Sequence, residues 1–201
     1  GSSAFAPSQR DSLLKSITSS HPSVTAIDAL YLHYISPSTS TALTTLQTID
    51  STERKILDSL LDYGDDYTQS GTKDKVAQAL TGGSTDGIIF VVPRKGTISP
   101  WSSKATDISR MCKLKDHVQR IERGLIFVVT STSPLTVVDL ETSGGAQLLH
   151  DRMTQLLLNH LPISKDLFER GSPAPLRTID LLGSKGTGEV INGHAEAKAK
   201  L

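Results

Sequence analysis

Three apolar runs of strand length constrain the fold of this chain most. They occupy residues 24–35, 87–93 and 118–130, and the first carries apolar side chains on both of its alternating faces. A strand that is apolar on both faces is typical of the centre of a sheet that is covered on each side. All three runs are far shorter than the roughly 20 apolar residues that span a bilayer. The sequence therefore predicts a sheet-containing core and no membrane partner.

Helical periodicity fills the intervals between these runs. Helices are expected at residues 11–20, at residues 51–63, from about Ser102 onwards, and at residues 148–161. Residues 36–48 are rich in serine and threonine and are interpreted as a connection. Residues 65–86 are interpreted as a polar loop with a short helical stretch at 73–80. Gly124 interrupts the third strand, where it predicts a bulge.

The order of these elements predicts the fold class. Helix–strand–helix–strand is followed by helix–strand–helix, which suggests two similar halves and favours an α+β fold. We expect a two-layer sandwich of antiparallel strands and helices, with two pseudo-repeated halves, over residues 1–162. Residues 163–201 are rich in glycine, proline and serine and predict an extended, largely irregular linker. A helical pattern resumes at 195–201, which is typical of a fragment that ends as a new element begins.

Composition limits the classes of function. The chain has 201 residues, with 21 basic residues balanced by 21 acidic ones, so no overall field favours binding to nucleic acid. Cys112 is the only cysteine, which excludes an internal disulfide and agrees with a reducing compartment, so a cytoplasmic protein is expected. The six histidines have no spacing suited to zinc. The glycines of residues 183–188 lack the spacing of a phosphate-binding loop.

Residues 94–108 combine a tight turn with the start of a helix. Gly96 can adopt the positive φ that a sharp turn needs, and Ser99-Pro100 offers a helix cap followed by a first-turn proline. Backbone N–H groups near Lys104 could attract an anion there. Two interpretations of Arg94, Lys95 and Lys104 stay open, namely a solvated face and recognition of phosphate or carboxylate.

A helical face within the same segment is predicted to be buried. Trp101, Ala105, Ile108 and Cys112 follow one another at four- and three-residue steps. Packing of Trp101 in the core and contact of Trp101 with a neighbouring domain are both open interpretations, since aromatic residues also anchor interfaces.

Three sequence blocks in order resemble one enzyme family. Residues 96–108 read GTISPWSSKATDI, residues 118–125 read VQRIERGL, and residues 150–154 read HDRMT. Together they are similar to blocks of the large, single-chain phosphoribosylformylglycinamidine synthases, and the resemblance covers about the first 160 residues. One departure falls at residues 109–114, SRMCKL, where the family usually reads like AHNCGL. Lys113 there replaces a glycine.

The resemblance implies a role without chemistry of its own. Enzymes of this family use ATP, magnesium and glutamine, but their nucleotide and glutaminase centres do not match any segment of this chain. No catalytic, cofactor-binding or metal-binding residue is carried over, and the chain alone is expected to be inactive. Its segment resembles a fused pair of the small subunit of the multi-subunit enzyme. That likeness implies partners in the synthetase and glutaminase domains and a role in ammonia transfer.

The candidate contact surface follows from the same blocks. We expect the contact with other domains to involve Arg94, Thr97, Ser99, Trp101, Ser102, Ser103, Lys104, Thr106, Asp107, Arg120 and Arg123. Two alternatives stay open. The chain could be a stand-alone interaction or regulatory protein of the same fold, or an anion-binding module that uses the loop from Arg94 to Lys104.

Overall fold

A computed structural model describes residues 2–69, 71–82, 86–133 and 135–169. These ranges belong to one compact unit, Gly1–Arg170. The linker predicted at 163–201, its glycine-rich stretch and the helical pattern at 195–201 lie mostly or wholly outside the described residues. The domain boundary predicted after residue 162 therefore stays a prediction.

Four strands form a single antiparallel sheet in the described ranges. They are β1 (Val24–Pro37), β2 (Ile88–Pro93), β3 (Val118–Ser131) and β4 (Gln155–Leu158), and their order in the sheet is β1-β3-β2-β4. The first three correspond to the three apolar runs of the sequence. The α+β class and the antiparallel sheet are thus confirmed, whereas the pseudo-repeat of two halves stays a prediction.

The helices connect these strands. They are α1 (Pro7–Ser20), α2 (Ser40–Gln47), α3 (Thr52–Leu61), α4 (Thr72–Leu80), α5 (Pro100–Ser109), α6 (Val137–Ser143), α7 (Ala146–Leu149) and α8 (Ser164–Leu167), and a π-helical turn at Arg110–Leu114 follows α5. Several begin at a side chain that accepts a backbone N–H: Thr39 before α2, Ser51 before α3 and Thr136 before α6. The short helix expected at 73–80 is confirmed as α4.

The ribbon of β1 and β3 has two unlike halves. Both strands are 14 residues long and pair along their full length, whereas β2 pairs with β3 only from Leu125 to Val128. We call residues 24–31 of β1 and 125–131 of β3 the four-stranded half. Residues 32–37 and 118–124 form the two-stranded half, where no strand follows β3 on its second side within the described residues.

Apolar side chains pack on both faces of the sheet. One face meets α1, α6 and α7 in a cluster around Phe127, and the other meets α4 in a cluster around Phe90. A third cluster covers the two-stranded half, where Ile121 packs with residues of α2 and α3. Phe90, Phe127 and Ile121 have no exposed surface, so each marks the centre of its cluster.

The helix predicted at 148–161 is wrong beyond its first residues. α7 ends at Leu149, and the leucines that follow form β4, which pairs with β2. Asp151 lies between them, and its carboxylate accepts the Met153 N–H at 2.8 Å and the Thr154 hydroxyl at 2.9 Å. These bonds hold a turn, and an apolar run of three leucines fits a strand as well as a helix.

The bulge predicted at Gly124 is also wrong. Gly124 pairs in register with Leu32, and the register shifts of this ribbon lie at its two ends instead. A Cβ on Gly124 would lie 2.5 Å from the Val91 carbonyl oxygen and 3.0 Å from the Tyr34 ring. The glycine therefore permits close approach of backbone and ring. The connection predicted at 36–48 likewise contains a helix, α2, because Thr39 caps it.

Candidate functional site

The loop after β2 is built as the sequence predicts. Gly96 has a φ of 82°, and the Thr97 N–H and hydroxyl both donate to the Arg94 carbonyl, at 3.0 and 2.6 Å. Ser99 then caps α5, because its hydroxyl accepts the Ser102 N–H at 3.0 Å. The predicted turn and cap are confirmed. The loop carries the chain from the sheet directly onto α5.

A buried carboxylate holds this loop against β3. Glu122 has no exposed surface, and its side chain accepts from the Ser99 hydroxyl at 2.6 Å, the Arg120 guanidinium at 2.5 Å and the Arg123 N–H at 3.1 Å. A charge that is removed from water needs such partners. The sequence interpretation missed Glu122 as a site residue. The sequence nevertheless contained a signal for it, namely an acidic residue within a strand that was predicted to be buried.

Arg120 connects the same carboxylate to the helix and the loop. Its Nη2 also donates to the Thr97 carbonyl at 2.9 Å, and its Nε donates to the Ser102 hydroxyl at 3.1 Å. The guanidinium lies 5.6 Å from the centre of the Phe168 ring. Arg120 and Glu122 therefore fasten three elements together, and their hydrogen-bonding groups are largely consumed by contacts within the domain.

Helix α5 meets the open side of β3 with hydroxyl groups. The Ser102 hydroxyl donates to the Ile121 carbonyl at 2.6 Å, and the Thr106 hydroxyl accepts the Ile121 N–H at 3.0 Å. Ser109 is buried on the same helical face and donates to the Thr106 carbonyl at 2.7 Å. The Ser102 and Thr106 side chains supply the hydrogen bonds that a neighbouring strand would otherwise provide.

This arrangement corrects the predicted buried face of α5. The structure buries the hydroxyl-bearing face, whereas Ile108 is 45% exposed and Trp101, Ala105 and Cys112 are only partly buried. The physical reason is that the edge of β3 needs donors and acceptors, which apolar side chains lack.

Trp101 and Arg123 form an aromatic stack on the other side of the loop. The Arg123 guanidinium lies 4.4 Å from the centre of the Tyr31 ring and 4.8 Å from that of Trp101. His33 stacks on Trp101 at 5.6 Å between ring centres and shares a 2.7 Å hydrogen bond with the Tyr63 hydroxyl. Burial lowers the pKa of His33 to about 4, and the positive charge of Arg123 acts in the same direction.

Three cavities surround the loop and α5. A cavity of about 440 Å³ is lined by Ser36, Ser103, Asp107, Arg110, Arg120 and Phe168, among others. A second of about 440 Å³, which we call the Arg123 cavity, is lined by Tyr31, Thr97, Trp101, Arg123, Met153, Thr154 and Gln155, among others. Ile98 lines both of them. A third of about 240 Å³ is lined by Leu60, Leu61, Tyr63, Trp101, Lys104, Ala105 and Ile108.

Comparison with known families identifies the family of this chain. Residues 31–168 match the family described as formylglycinamide ribonucleotide amidotransferase N-terminal. The chain belongs to this family. It is also 34% identical over 194 residues to a phosphoribosylformylglycinamidine synthase of Saccharomyces cerevisiae (strain ATCC 204508 / S288c). That alignment covers 90% of this chain and 14% of the yeast protein, so the chain spans about one seventh of the length of its relative.

In this formylglycinamide ribonucleotide amidotransferase N-terminal domain, the predicted contact residues fall into separate groups. One group bonds to Glu122 or Ile121 or to their partners, and it consists of Thr97, Ser99, Ser102, Thr106 and Arg120. A second group is the aromatic stack, with Trp101 and Arg123. The remaining residues of α5 line cavities, Ser103 and Asp107 the first and Lys104 the third. Arg94 lies apart and donates to the Arg152 carbonyl at 3.0 Å. The sequence thus brought together a buried framework and an exposed surface as if they were one site.

Lys113 adopts a backbone conformation that favours glycine. Its φ is 68°, and no other non-glycine residue in the described ranges has a positive φ. It stands where the family resemblance places a glycine, at the end of the π-helical turn. The backbone geometry of this turn is therefore the one that a glycine would adopt without strain.

The described part of the domain contains neither a metal-binding cluster nor a membrane-spanning helix. No group of three or more histidine, cysteine, aspartate or glutamate side chains there is arranged to hold a metal ion. In the same ranges, no helix has the length and apolarity that crossing a membrane requires.

Proposed function

We propose that this chain is the amino-terminal assembly and coupling domain of a phosphoribosylformylglycinamidine synthase. In this proposal the whole enzyme works in the cytoplasm, in de novo purine biosynthesis. It converts formylglycinamide ribonucleotide to formylglycinamidine ribonucleotide with ATP, magnesium and glutamine. The domain itself contacts the synthetase and glutaminase domains and helps ammonia pass between them. Family membership and the likeness to one seventh of the yeast synthase support this assignment.

One observation carries the proposal best, namely exposed apolar side chains around a loop that hydrogen bonds fasten to β3. Ile98 is 48% exposed, Ile108 is 45% exposed and Met153 is 83% exposed, and all three line the cavities near Trp101. The loop beneath them is fixed through Glu122. Exposed apolar side chains that cluster on a fixed backbone are typical of an interaction surface. The polar side chains beneath this surface, Ser99, Arg120 and Glu122, form hydrogen bonds within the domain. Such mutual bonding suits a structural role better than a catalytic one.

The alternative of an anion-binding module has less support in the geometry. Arg94 and Lys104 line different cavities, the former beside Arg152 and the latter beside Leu60. The N–H of Ser102 is already satisfied by the Ser99 hydroxyl, and that of Ser103 by the Ser99 carbonyl. The N-terminus of α5 therefore has fewer free donors than the sequence suggested.

The proposal is tested by measuring coupling in a chimeric enzyme. The yeast synthase with its matched segment replaced by this chain is expected to form glutamate and ADP in equal amounts. Trp101→Ala should raise the ratio of glutamate to ADP and leave the rate with free ammonia unchanged, because the contact surface is damaged while the reaction centres are intact.

A matched control separates coupling from general damage. Val138→Ala removes a side chain that is 66% exposed on α6, away from the loop, and it should leave the ratio unchanged. If Trp101→Ala and Val138→Ala behave alike, the loop surface does not couple the domains. If the chimera consumes no ATP although each part is folded, the assignment to this enzyme is wrong.

A further inference from the structure

The guanidinium of Arg123 has no acidic partner in the described part of the chain. Its neighbour Arg120 pairs with Glu122, whereas the contacts found for Arg123 are the two aromatic rings and a long hydrogen bond of 3.4 Å from Nη1 to the Tyr63 hydroxyl. The residue is partly buried. A cation that is partly removed from water gains free energy from a counter-charge, and none of the described carboxylates supplies one.

Apart from the long bond to Tyr63, the N–H groups of the Arg123 guanidinium have no hydrogen-bond acceptor among the described residues. The Cζ atom of Arg123 lies over the Tyr31 ring and over the Trp101 ring, and such cation–π contacts stabilise a guanidinium. They also limit the orientations that the planar group can adopt. Its N–H groups lie in the plane of the fork, in the geometry that matches a carboxylate with two parallel hydrogen bonds. Arg123 is therefore preorganised for a planar acceptor.

The Arg123 cavity matches such an acceptor in charge. Arg123 is the one charged residue among those that line it, and Thr97, Thr154 and Gln155 supply further polar groups. Ile98 and Met153 stand exposed around the same cavity. The lining therefore combines a single positive charge with apolar side chains, and methionine adapts readily to the shape of a partner.

We propose that the Arg123 cavity receives an aspartate or glutamate side chain, flanked by apolar residues, from another domain of the same enzyme. This inference rests on the proposed function. A protein segment fits better than a free anion because a small anion leaves Ile98 and Met153 uncovered. Phosphate fits less well because a single guanidinium carries the charge and the N–H of Ser102 is already occupied.

The single tryptophan of the chain provides the measurement. Labelling with 5-fluorotryptophan places one ¹⁹F nucleus at Trp101, in contact with Arg123. The labelled chain is titrated with the remaining domains of the synthase, produced as a separate polypeptide. Arg123→Gln should raise the dissociation constant by about tenfold or more. Arg123→Lys should give a dissociation constant between those of wild type and Arg123→Gln, because lysine keeps the charge but loses the planar fork.

Arg110→Gln is the matched control. Arg110 carries the same charge and lines the neighbouring cavity on the other side of the loop. Its substitution should change the dissociation constant by less than about twofold, as for a rim charge. Urea unfolding of each variant shows whether it is folded. The dissociation constants are compared only after correction for the folded fraction.

The outcomes separate this inference from the proposed function. If the wild-type chain binds and Arg123→Gln binds equally well, the carboxylate site is refuted while the assembly role survives. Absence of binding by the wild-type chain would overturn both. Two further results refute a carboxylate from another domain. A change in the ¹⁹F chemical shift on addition of low millimolar acetate or phosphate would indicate a small-anion site. A ¹⁹F chemical shift that depends on the concentration of the chain alone would indicate a second copy as occupant.

Discussion

In the four-stranded half of the ribbon, β3 has a strand on each side, whereas in the two-stranded half side chains of α5 occupy one of those sides. Phe127 shows the first arrangement, because it pairs with Ala29 of β1 and Ile89 of β2 and is fully buried. Ile121 shows the second, because it pairs with Ile35 of β1 but bonds to the hydroxyls of Ser102 and Thr106 on its other side.

The comparison shows how a fold can form a surface at the edge of a sheet. Where strands satisfy the backbone, the neighbouring side chains are free to be apolar and buried. Where hydroxyls, Glu122 and Arg120 satisfy the backbone, polar groups must be buried with their partners. The apolar side chains of α5 are then only partly buried, as for Trp101 and Ala105, or exposed, as for Ile108. The exposed surface around Ile98 and Ile108 is thus a consequence of how the strand edge is closed.

The largest expected effect tests the apolar half. Phe127→Ala removes a fully buried ring that also contacts Phe5, with ring centres 5.9 Å apart. We expect the free energy of unfolding to fall by about 4 kcal/mol because of lost burial and the cavity that remains. Urea unfolding followed by circular dichroism measures the change. A loss below about 1 kcal/mol would mean that this half is not close-packed.

A slightly smaller effect tests the polar half. Glu122→Ala leaves the partly buried Arg120 without its carboxylate, and we expect a loss of about 3 kcal/mol in the free energy of unfolding. Glu122→Gln keeps the shape and an acceptor oxygen for the Ser99 hydroxyl, so its loss should be about half as large. Equal losses for the two variants in urea unfolding would show that packing, and not the charge of Glu122, fastens the loop.

A third effect concerns the pH dependence of the stack. The pKa of His33 falls from 6.5 to about 4 on folding, so the folded state binds fewer protons between these values. The contribution of neutral His33 to stability is complete above pH 6.5 and is lost as the pH falls towards 4. Between pH 7 and pH 5 we expect a loss of about 1 kcal/mol, reduced by the partial exposure of the ring.

His33→Gln is the control for this pH dependence. Glutamine does not titrate, so the difference between wild type and variant isolates His33 from the other histidines. Urea unfolding at pH 5, 6 and 7 is the measurement. A difference that stays constant across these pH values would show that protonation of His33 does not oppose the stack.

The smallest effect concerns the turn between α5 and β3. Lys113→Gly should raise the free energy of unfolding by about 0.5–1 kcal/mol, because relief of the positive φ outweighs the greater entropy of the unfolded chain. Lys113→Ala keeps the strained conformation and should change stability little. If alanine stabilises as much as glycine in thermal unfolding, the side chain of Lys113 and not its backbone is responsible.

Several parts of this fold could be predicted from local sequence. The apolar runs identified β1, β2 and β3, and Gly96 and Ser99 identified the turn and the cap of α5, because each depends on residues within a few positions. The leucines at 156–158 could not be assigned in this way, since a run of three apolar residues fits both helical and strand periodicity. Their pairing with β2, and not their own preference, makes them a strand.

The candidate site was only partly predictable for a related reason. The motif brought Ser99, Trp101, Arg120 and Arg123 to attention, but it could not separate the framework from the surface. The role of Glu122 was not predicted, because it depends on a hydrogen bond with Ser99, which is 23 residues away along the chain. Whether the surface residues contact other domains stays a prediction.

The sequence by itself determined the three long strands, the loop from Arg94 to Ser99 and membership of the family, because these depend on local patterns and on a long contiguous motif. The tertiary structure alone decided which face of α5 is buried, that residues 155–158 form a strand, and that Arg123 is left without an acidic partner among the described residues. Hydrogen bonds at a strand edge must be satisfied by whichever groups lie beside it, and those groups come from distant positions in the chain.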